Sequence, residues 1–193
     1  MAAHRMPLAG ALEVLRDLRR DEIVVTTMGT AREWPKLSSH PLDFHYIPSA
    51  MGHAGVLGLG IALAQPRRTV IAFSGDGGML MSLGSLVTIA TCRPANLTLI
   101  VIDNGIYEVT GGQKTAAAVG RVDFVALAKA AGFESARRFT DLADWKARAA
   151  ETLALAGPRF VVLECEPVGC DYMLESPGPM AERIAKFRTA LGT

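Results

Sequence analysis

Five short apolar runs, each bounded by polar or turn-forming residues, punctuate the chain at 23–27, 44–47, 69–74, 97–102 and 159–165. They are rich in β-branched residues, and the runs at 69–74 and 97–102 are almost continuous. That is the pattern of parallel strands covered on both faces. Helical spacing fills the intervals. Leu8, Leu12, Leu15 and Leu18 recur ahead of the charged Arg19-Arg20-Asp21-Glu22, which predicts an amphipathic helix. Further helices are expected over about 53–64, 79–92, 123–131, 142–155 and 180–191, with a weak edge strand at 134–139. Strands alternating with helices predict one α/β domain spanning 1–193: a single doubly wound, mostly parallel sheet with helices on both faces. Two stretches read as non-repetitive. Residues 27–33 form a polar turn after the first strand, and 105–121 form a connection long enough to suggest a functional lid.

Composition narrows the function classes. Half of the 193 residues are hydrophobic, 6% are aromatic and the formal net charge is +1. That balance leaves no electrostatic footprint for nucleic acid or an anionic membrane. Cys92, Cys165 and Cys170 form no Cys-x-x-Cys pair, which argues for a reducing compartment and against structural zinc. No apolar run reaches membrane-spanning length and the amino terminus has no signal-peptide core, so a cytoplasmic protein is expected. Gly52, Gly55, Gly58 and Gly60 would weaken the helix at 53–64 unless another backbone or strand packs closely there. Neither Gly58-x-Gly60 nor Gly75-x-Gly77 continues as a dinucleotide-binding turn, because Leu63 and Leu80 stand at the third position.

The candidate chemistry lies between 69 and 105. A right-handed crossover from the run at 69–74 to that at 97–102 brings the carboxyl ends of both strands to one edge. Asp76 and Asn104 then sit side by side where open α/β sheets bind ligands. A carboxylate and an amide carbonyl are hard oxygen donors, suited to Mg²⁺ that completes its shell with phosphate oxygens and water. Gly75, Gly77 and Gly78 would let a diphosphate approach the backbone, at the start of a helix whose first N–H groups are unpaired.

Gly75-Asp76-Gly77, then residues 78–103, then Asn104 resembles the thiamine diphosphate signature. In that family the Asp, the Asn and the main-chain carbonyl two residues further on hold the metal, which the resemblance places on Asp76, Asn104 and Ile106. Ser49-Ala50-Met51-Gly52-His53-Ala54 and Asn104-Gly105 with Thr110-Gly111-Gly112-Gln113 are most similar to phosphonopyruvate and sulfopyruvate decarboxylases. The likeness covers roughly 21–167 and implies thiamine diphosphate and Mg²⁺ as cofactors. It also implies cofactor binding by Gly29, Thr30, Ser49, Met51, Gly52, Gly75, Asp76, Gly77, Gly78, Asn104 and Ile106. Met51 matches the apolar residue that props the cofactor in its bent form, and the Ser49 carbonyl would meet the pyrimidine amino group. His53, Val109, Thr110, Gln113 and Lys114 are the substrate-side candidates by sequence proximity, none of them assigned as a catalytic residue. Arg32, Lys114 and Arg121 are candidates for a dianionic substrate head.

Three departures qualify the match. Met28 stands where these decarboxylases have a glycine, and the tail at 172–179 lacks the basic, glycine-flanked pattern expected there. The family's pyrimidine-binding domain, with its activating glutamate, has no counterpart in the sequence. The resemblance therefore implies a diphosphate-binding, β-type subunit of a two-subunit 2-oxo acid decarboxylase, a carbon–carbon lyase inactive without its pyrimidine-domain (α-type) partner. The Met1 start and the helix ahead of the first strand favour a subunit over a fragment. An acetolactate synthase-like carboligase subunit, or a non-catalytic scaffold that kept the fold, are the alternative expectations.

Overall fold

The computed structural model describes residues 5–120, 122–169 and 176–192. The chain runs α1 (Leu8–Leu18), β1 (Ile23–Thr26), α2 (Met28–Leu37), β2 (Asp43–His45), α3 (Ala54–Ala64), β3 (Val70–Gly75), α4 (Asp76–Met81), α5 (Gly84–Cys92) and β4 (Leu97–Asp103). It continues with β5 (Ile106–Tyr107), a 3₁₀ turn (Glu108–Thr110), β6 (Gln113–Lys114), α6 (Ala116–Gly120), α7 (Phe124–Ala131), β7 (Ser135–Phe139), α8 (Leu142–Ala154), β8 (Arg159–Glu164) and α9 (Met180–Leu191).

Six strands form one sheet in the order β2-β1-β3-β4-β8-β7, and every pairing in it is parallel. The period-two alternation of strand side chains sorts the apolar runs into two cores. Val24, Ile71, Phe73, Ile100, Ile102, Val161 and Leu163 pack with α1, Trp34 of α2 and Trp145 of α8. Ile23, Val25, Val70, Ala72, Leu97, Leu99, Val101, Phe160 and Val162 pack on the other face with α3, α5, α7 and Phe187 of α9. Burial on both faces is why these strands read as nearly unbroken apolar runs.

The glycines of α3 are spent on the sheet. A β-carbon at Gly58 would stand 2.7 Å from that of Ala72, and one at Gly55 3.4 Å from Leu99. Gly60 has no such neighbour and is exposed on the outer side of α3, while Ala62 further along is buried against the sheet. Across the sheet edge, the Arg183 guanidinium of α9 donates to the carbonyls of His45 and Ile47, tying the last helix to the segment that leads to Met51.

Three stretches differ from the sequence reading. Residues 28–37 are a helix rather than a polar turn. Thr27 and Thr30 form a reciprocal capping box, and Trp34 buries its ring while its indole N–H donates to Asp43 at 2.9 Å. The helix expected over 79–92 is two helices, beginning at Asp76 and interrupted at Ser82 and Leu83. The lid region 105–120 is ordered as a two-strand antiparallel hairpin, the 3₁₀ turn and α6. Arg121, Cys170 and residues 172–175 of the noted tail lie outside the described residues. Among the described residues, no helix is long and apolar enough to cross a membrane.

Candidate functional site

Because all six strands point the same way, their carboxyl ends share one edge. The connection after β1 goes outward to β2, whereas the next returns to the other side as β3, so the direction of winding reverses between β1 and β3. Loops diverge at such a reversal and leave a crevice. Here the crevice is a cleft with about 740 Å³ of free space, partly continuous with solvent. Its walls are residues 27–30 after β1, Met51 and Gly52 ahead of α3, Ser74–Gly78 after β3, and Asn104 with 106–110 after β4.

Asp76 is the first residue of α4, and its side chain is only 1% exposed. Its Oδ2 accepts a 2.7 Å hydrogen bond from the Thr115 hydroxyl, which comes from the far end of the hairpin. Burial lifts the Asp76 carboxyl above the usual carboxylate range; the Thr115 bond opposes the shift and the nearby Asp103 adds to it. Asp103 is itself raised by burial and eased by Arg5, whose guanidinium lies 3.9 Å away. Asn104 follows directly, and its Oδ1 accepts the Ile106 N–H at 3.0 Å.

A buried carboxylate with a second acid nearby is held at a cost unless positive charge arrives. An amide oxygen beside it completes a hard-donor pair of the kind that suits Mg²⁺. Among the described residues no group of three His, Cys, Asp or Glu side chains could hold a metal. Asp76 and the Asn104 amide oxygen, the pair that the resemblance implies, both border the cleft, and as hard oxygen donors they fit such an ion.

Two glycines near Asp76, Gly52 and Gly77, are required by contact, whereas an added β-carbon at Gly75 would meet nothing within 4 Å. Gly52 has φ +83°, and a β-carbon there would stand 2.7 Å from the Gly78 carbonyl. Gly77 lies beneath the Tyr107 ring, which would be 2.3 Å from an added β-carbon. Met28, at the position where the resemblance leads one to expect glycine, adopts φ +50° and lines the cleft.

Of the residues singled out from the sequence, Gly29, Thr30, Met51, Gly52, Gly75, Asp76, Gly77, Gly78, Asn104, Ile106, Val109 and Thr110 border the cleft. Met51 is 46% exposed at its mouth. Ser49 is not on the wall but meets Thr27, which donates to its hydroxyl at 3.4 Å. His53 is also set back, at the cap of α3, with Nδ1 3.0 Å from the Met51 carbonyl. Gln113 and Lys114 form β6 and are exposed; Gln113 Oε1 accepts from the Thr110 hydroxyl at 3.3 Å. Arg32 pairs with Glu33 at 3.2 Å.

Tyr107, Glu108 and Thr115 were not singled out from the sequence. Tyr107 and Glu108 border the cleft and Thr115 holds Asp76. Glu108 Oε1 accepts the Val168 N–H at 2.6 Å. Burial raises its carboxyl, while the Val168 N–H, Arg32 and the Asn104 side chain favour the charged form. Only the proximity of Glu108 and Thr115 to Asn104 in the lid stretch could have suggested them.

Residues 23–165 match the family described as thiamine pyrophosphate enzyme, C-terminal TPP binding domain. The chain is 38% identical over 193 residues to a phosphonopyruvate decarboxylase of Streptomyces viridochromogenes, covering all of this chain and 48% of that protein. It thus spans about half the length of that relative. It is also 38% identical over 162 residues to the sulfopyruvate decarboxylase subunit beta of Methanothermobacter thermautotrophicus, covering 83% of each. A Rhodococcus jostii thiamine diphosphate-dependent 4-hydroxybenzoylformate decarboxylase shares the fold, with TM-score 0.70 at 18% identity, over 86% of this chain and 34% of that one. The site at the winding reversal therefore has a family to go with its geometry: the chain belongs to the C-terminal TPP-binding domains of the thiamine pyrophosphate enzymes.

Proposed function

We propose that the chain is the diphosphate-binding subunit of a Mg²⁺- and thiamine diphosphate-dependent decarboxylase acting on a 2-oxo acid of the sulfopyruvate or phosphonopyruvate kind. The observation that carries this reading is the buried Asp76 carboxylate beside the Asn104 amide at the winding reversal. The relatives named for decarboxylation of those two substrates support the substrate class. The β-subunit relative, similar over most of both chains, supports a partner chain that carries the pyrimidine-binding domain.

Bound in the cleft, the cofactor supplies the electron sink for the carbon that loses carbon dioxide. The residues of this chain do the holding. Asp76, Asn104 and the Ile106 carbonyl would take the cation, and the backbone at Gly75, Gly77 and Gly78 would admit the diphosphate. Gly29 and Thr30 form the opposite wall, where Thr30 also keeps the first turn of α2 closed through its hydrogen bonds with Thr27. Met51 offers an apolar surface at the mouth against which the cofactor would be propped, and the Ser49 carbonyl would accept from the pyrimidine amino group, as the resemblance implies. Thr110, with His53, Gln113 and Lys114 further from the wall, faces the substrate side.

Carbon dioxide release from sulfopyruvate and phosphonopyruvate, measured on the assembly purified with this chain, tests the reading. Activity dependent on Mg²⁺ and thiamine diphosphate and abolished by Asp76→Ala is expected. Activity that survives Asp76→Ala would remove the cation site. Formation of an acyloin-type product instead would make the protein a carboligase, and turnover by the chain alone would remove the partner.

A further inference from the structure

The antiparallel hairpin is fastened at both ends to the two side chains read above as cation ligands. At its start, the Ile106 N–H donates to Asn104 Oδ1 at 3.0 Å. At its end, the Thr115 hydroxyl donates to Asp76 Oδ2 at 2.7 Å. Thr115 stands just ahead of α6, which lies against α4, the helix that Asp76 begins. The Thr115 N–H reaches the Gly105 carbonyl at 2.9 Å. Its hydroxyl oxygen accepts the Ala118 N–H at 3.2 Å, in the first turn of α6.

The backbone alone does not decide how the Asp76 carboxylate faces. The last torsion of an aspartate is broad and roughly two-fold, so the group can rock about its Cβ–Cγ bond at little cost. Thr115 removes that freedom. Its hydroxyl accepts from Ala118 and has a single proton to give, and that proton goes to Oδ2. Thr115 is 0% exposed and Asp76 1%, so the bond lies in dry surroundings where it is strong. Hydrogen-bond partners outside the ligand set commonly orient metal ligands in this way, and their loss weakens the site.

We propose that Thr115 is a positioning residue for the divalent cation: its hydroxyl holds the Asp76 carboxylate in the orientation the ion meets, and so ties the end of the hairpin to the cation site. The proposal rests on the reading of Asp76 as a cation ligand and deepens it. Thr115 acts through Asp76 and does not itself join the ligand set.

The test is Mn²⁺-dependent uptake of thiamine diphosphate by the assembly as purified, followed by calorimetry at a temperature where every variant is folded, and by the electron paramagnetic resonance of the bound ion. Thr115→Val keeps the size and lacks the donor; it is expected to weaken uptake roughly 10- to 100-fold, the usual effect of removing such a partner. At saturating Mn²⁺ its spectrum is expected to show an altered zero-field splitting, because the carboxylate meets the ion at a different tilt. Thr115→Ser keeps the donor and is expected to restore both the affinity and the spectrum. Thr115→Cys, with a weak S–H donor, is expected to fall between the two and keeps the test available if Thr115→Val folds poorly. A residue that merely stabilised the hairpin would lower the denaturation midpoint and leave the affinity and the spectrum of the folded protein unchanged. Unmodified affinity and spectrum in Thr115→Val, or in Thr115→Cys, would therefore overturn the proposal, as would a Thr115→Ser variant that fails as Thr115→Val does. Divalent-dependent uptake that is missing from the unmodified assembly, or that survives Asp76→Ala, would overturn the underlying cation site, and the proposal with it.

Discussion

The Thr115 hydroxyl donates to Asp76 Oδ2 at 2.7 Å, joining two buried side chains 39 residues apart in sequence. Thr115 also accepts from the Ala118 N–H at 3.2 Å, and its own N–H reaches the Gly105 carbonyl at 2.9 Å. One residue thus closes the hairpin and holds the acid. Thr115→Val keeps the shape but leaves Asp76 without this donor, at an expected stability loss of about 1–3 kcal/mol. Chemical denaturation should show that loss, and Thr115→Ser should recover most of it.

Gly77 and Tyr107 form a steric pair. An added methyl group at 77 would lie 2.3 Å from Cε1 of the ring, and a tyrosine ring has little freedom to yield. Gly77→Ala should destabilise the protein by roughly 1–3 kcal/mol. In a Tyr107→Ala background the same substitution should cost almost nothing, because the ring it strikes is gone. Denaturation midpoints of the four proteins give the coupling directly.

Met28 holds φ +50°, a left-handed conformation that costs a non-glycine residue about 1–2 kcal/mol. Met28→Gly relieves that strain and loses some chain entropy, so a net stabilisation of about 0.5–1 kcal/mol is expected. Met28→Val, branched at the β-carbon, should destabilise. Urea titrations of the two variants should move in opposite directions.

His45 supplies a pH dependence. Burial holds its pKa below the ordinary imidazole value of 6.5, against the pull of Asp43 and with some help from Arg183. The unfolded chain therefore takes up this proton more readily than the folded one. The stability contribution is complete above pH 6.5 and is lost as pH falls through the lower folded value. Thermal melting of His45→Gln should fall less steeply than that of the unmodified protein between pH 7 and 5. Parallel curves would show that His45 contributes nothing to the slope.

The sequence made parts of this legible for physical reasons. Val70–Gly75 and Leu97–Asp103 are buried on both faces, so their apolar runs are unmistakable and place Asp76 and Asn104 at one edge. Helix α2 was missed because it is stabilised by the Thr27–Thr30 cap and a single large anchor, Trp34, and contains Pro35. Those features carry little apolar periodicity. The break at Ser82 and Leu83 was hidden for the opposite reason, since apolar residues continue across it. Strands β5 and β6 are two residues each, too short for alternation to register. The contacts of Thr115 with Asp76 and of Glu108 with Val168 depend on tertiary placement that no local pattern encodes.

The parallel arrangement also constrains the order of events when the chain folds. Parallel neighbours cannot be joined by tight hairpins, and Thr27, Asp76 and Asn104 lie at the ends of β1, β3 and β4. They become neighbours only after both crossovers have docked and the loop-closure entropy of the long intervening segments has been overcome. An intermediate lacking any one of those strands would present isolated donors, so capture of the coenzyme would report that the central sheet had been completed.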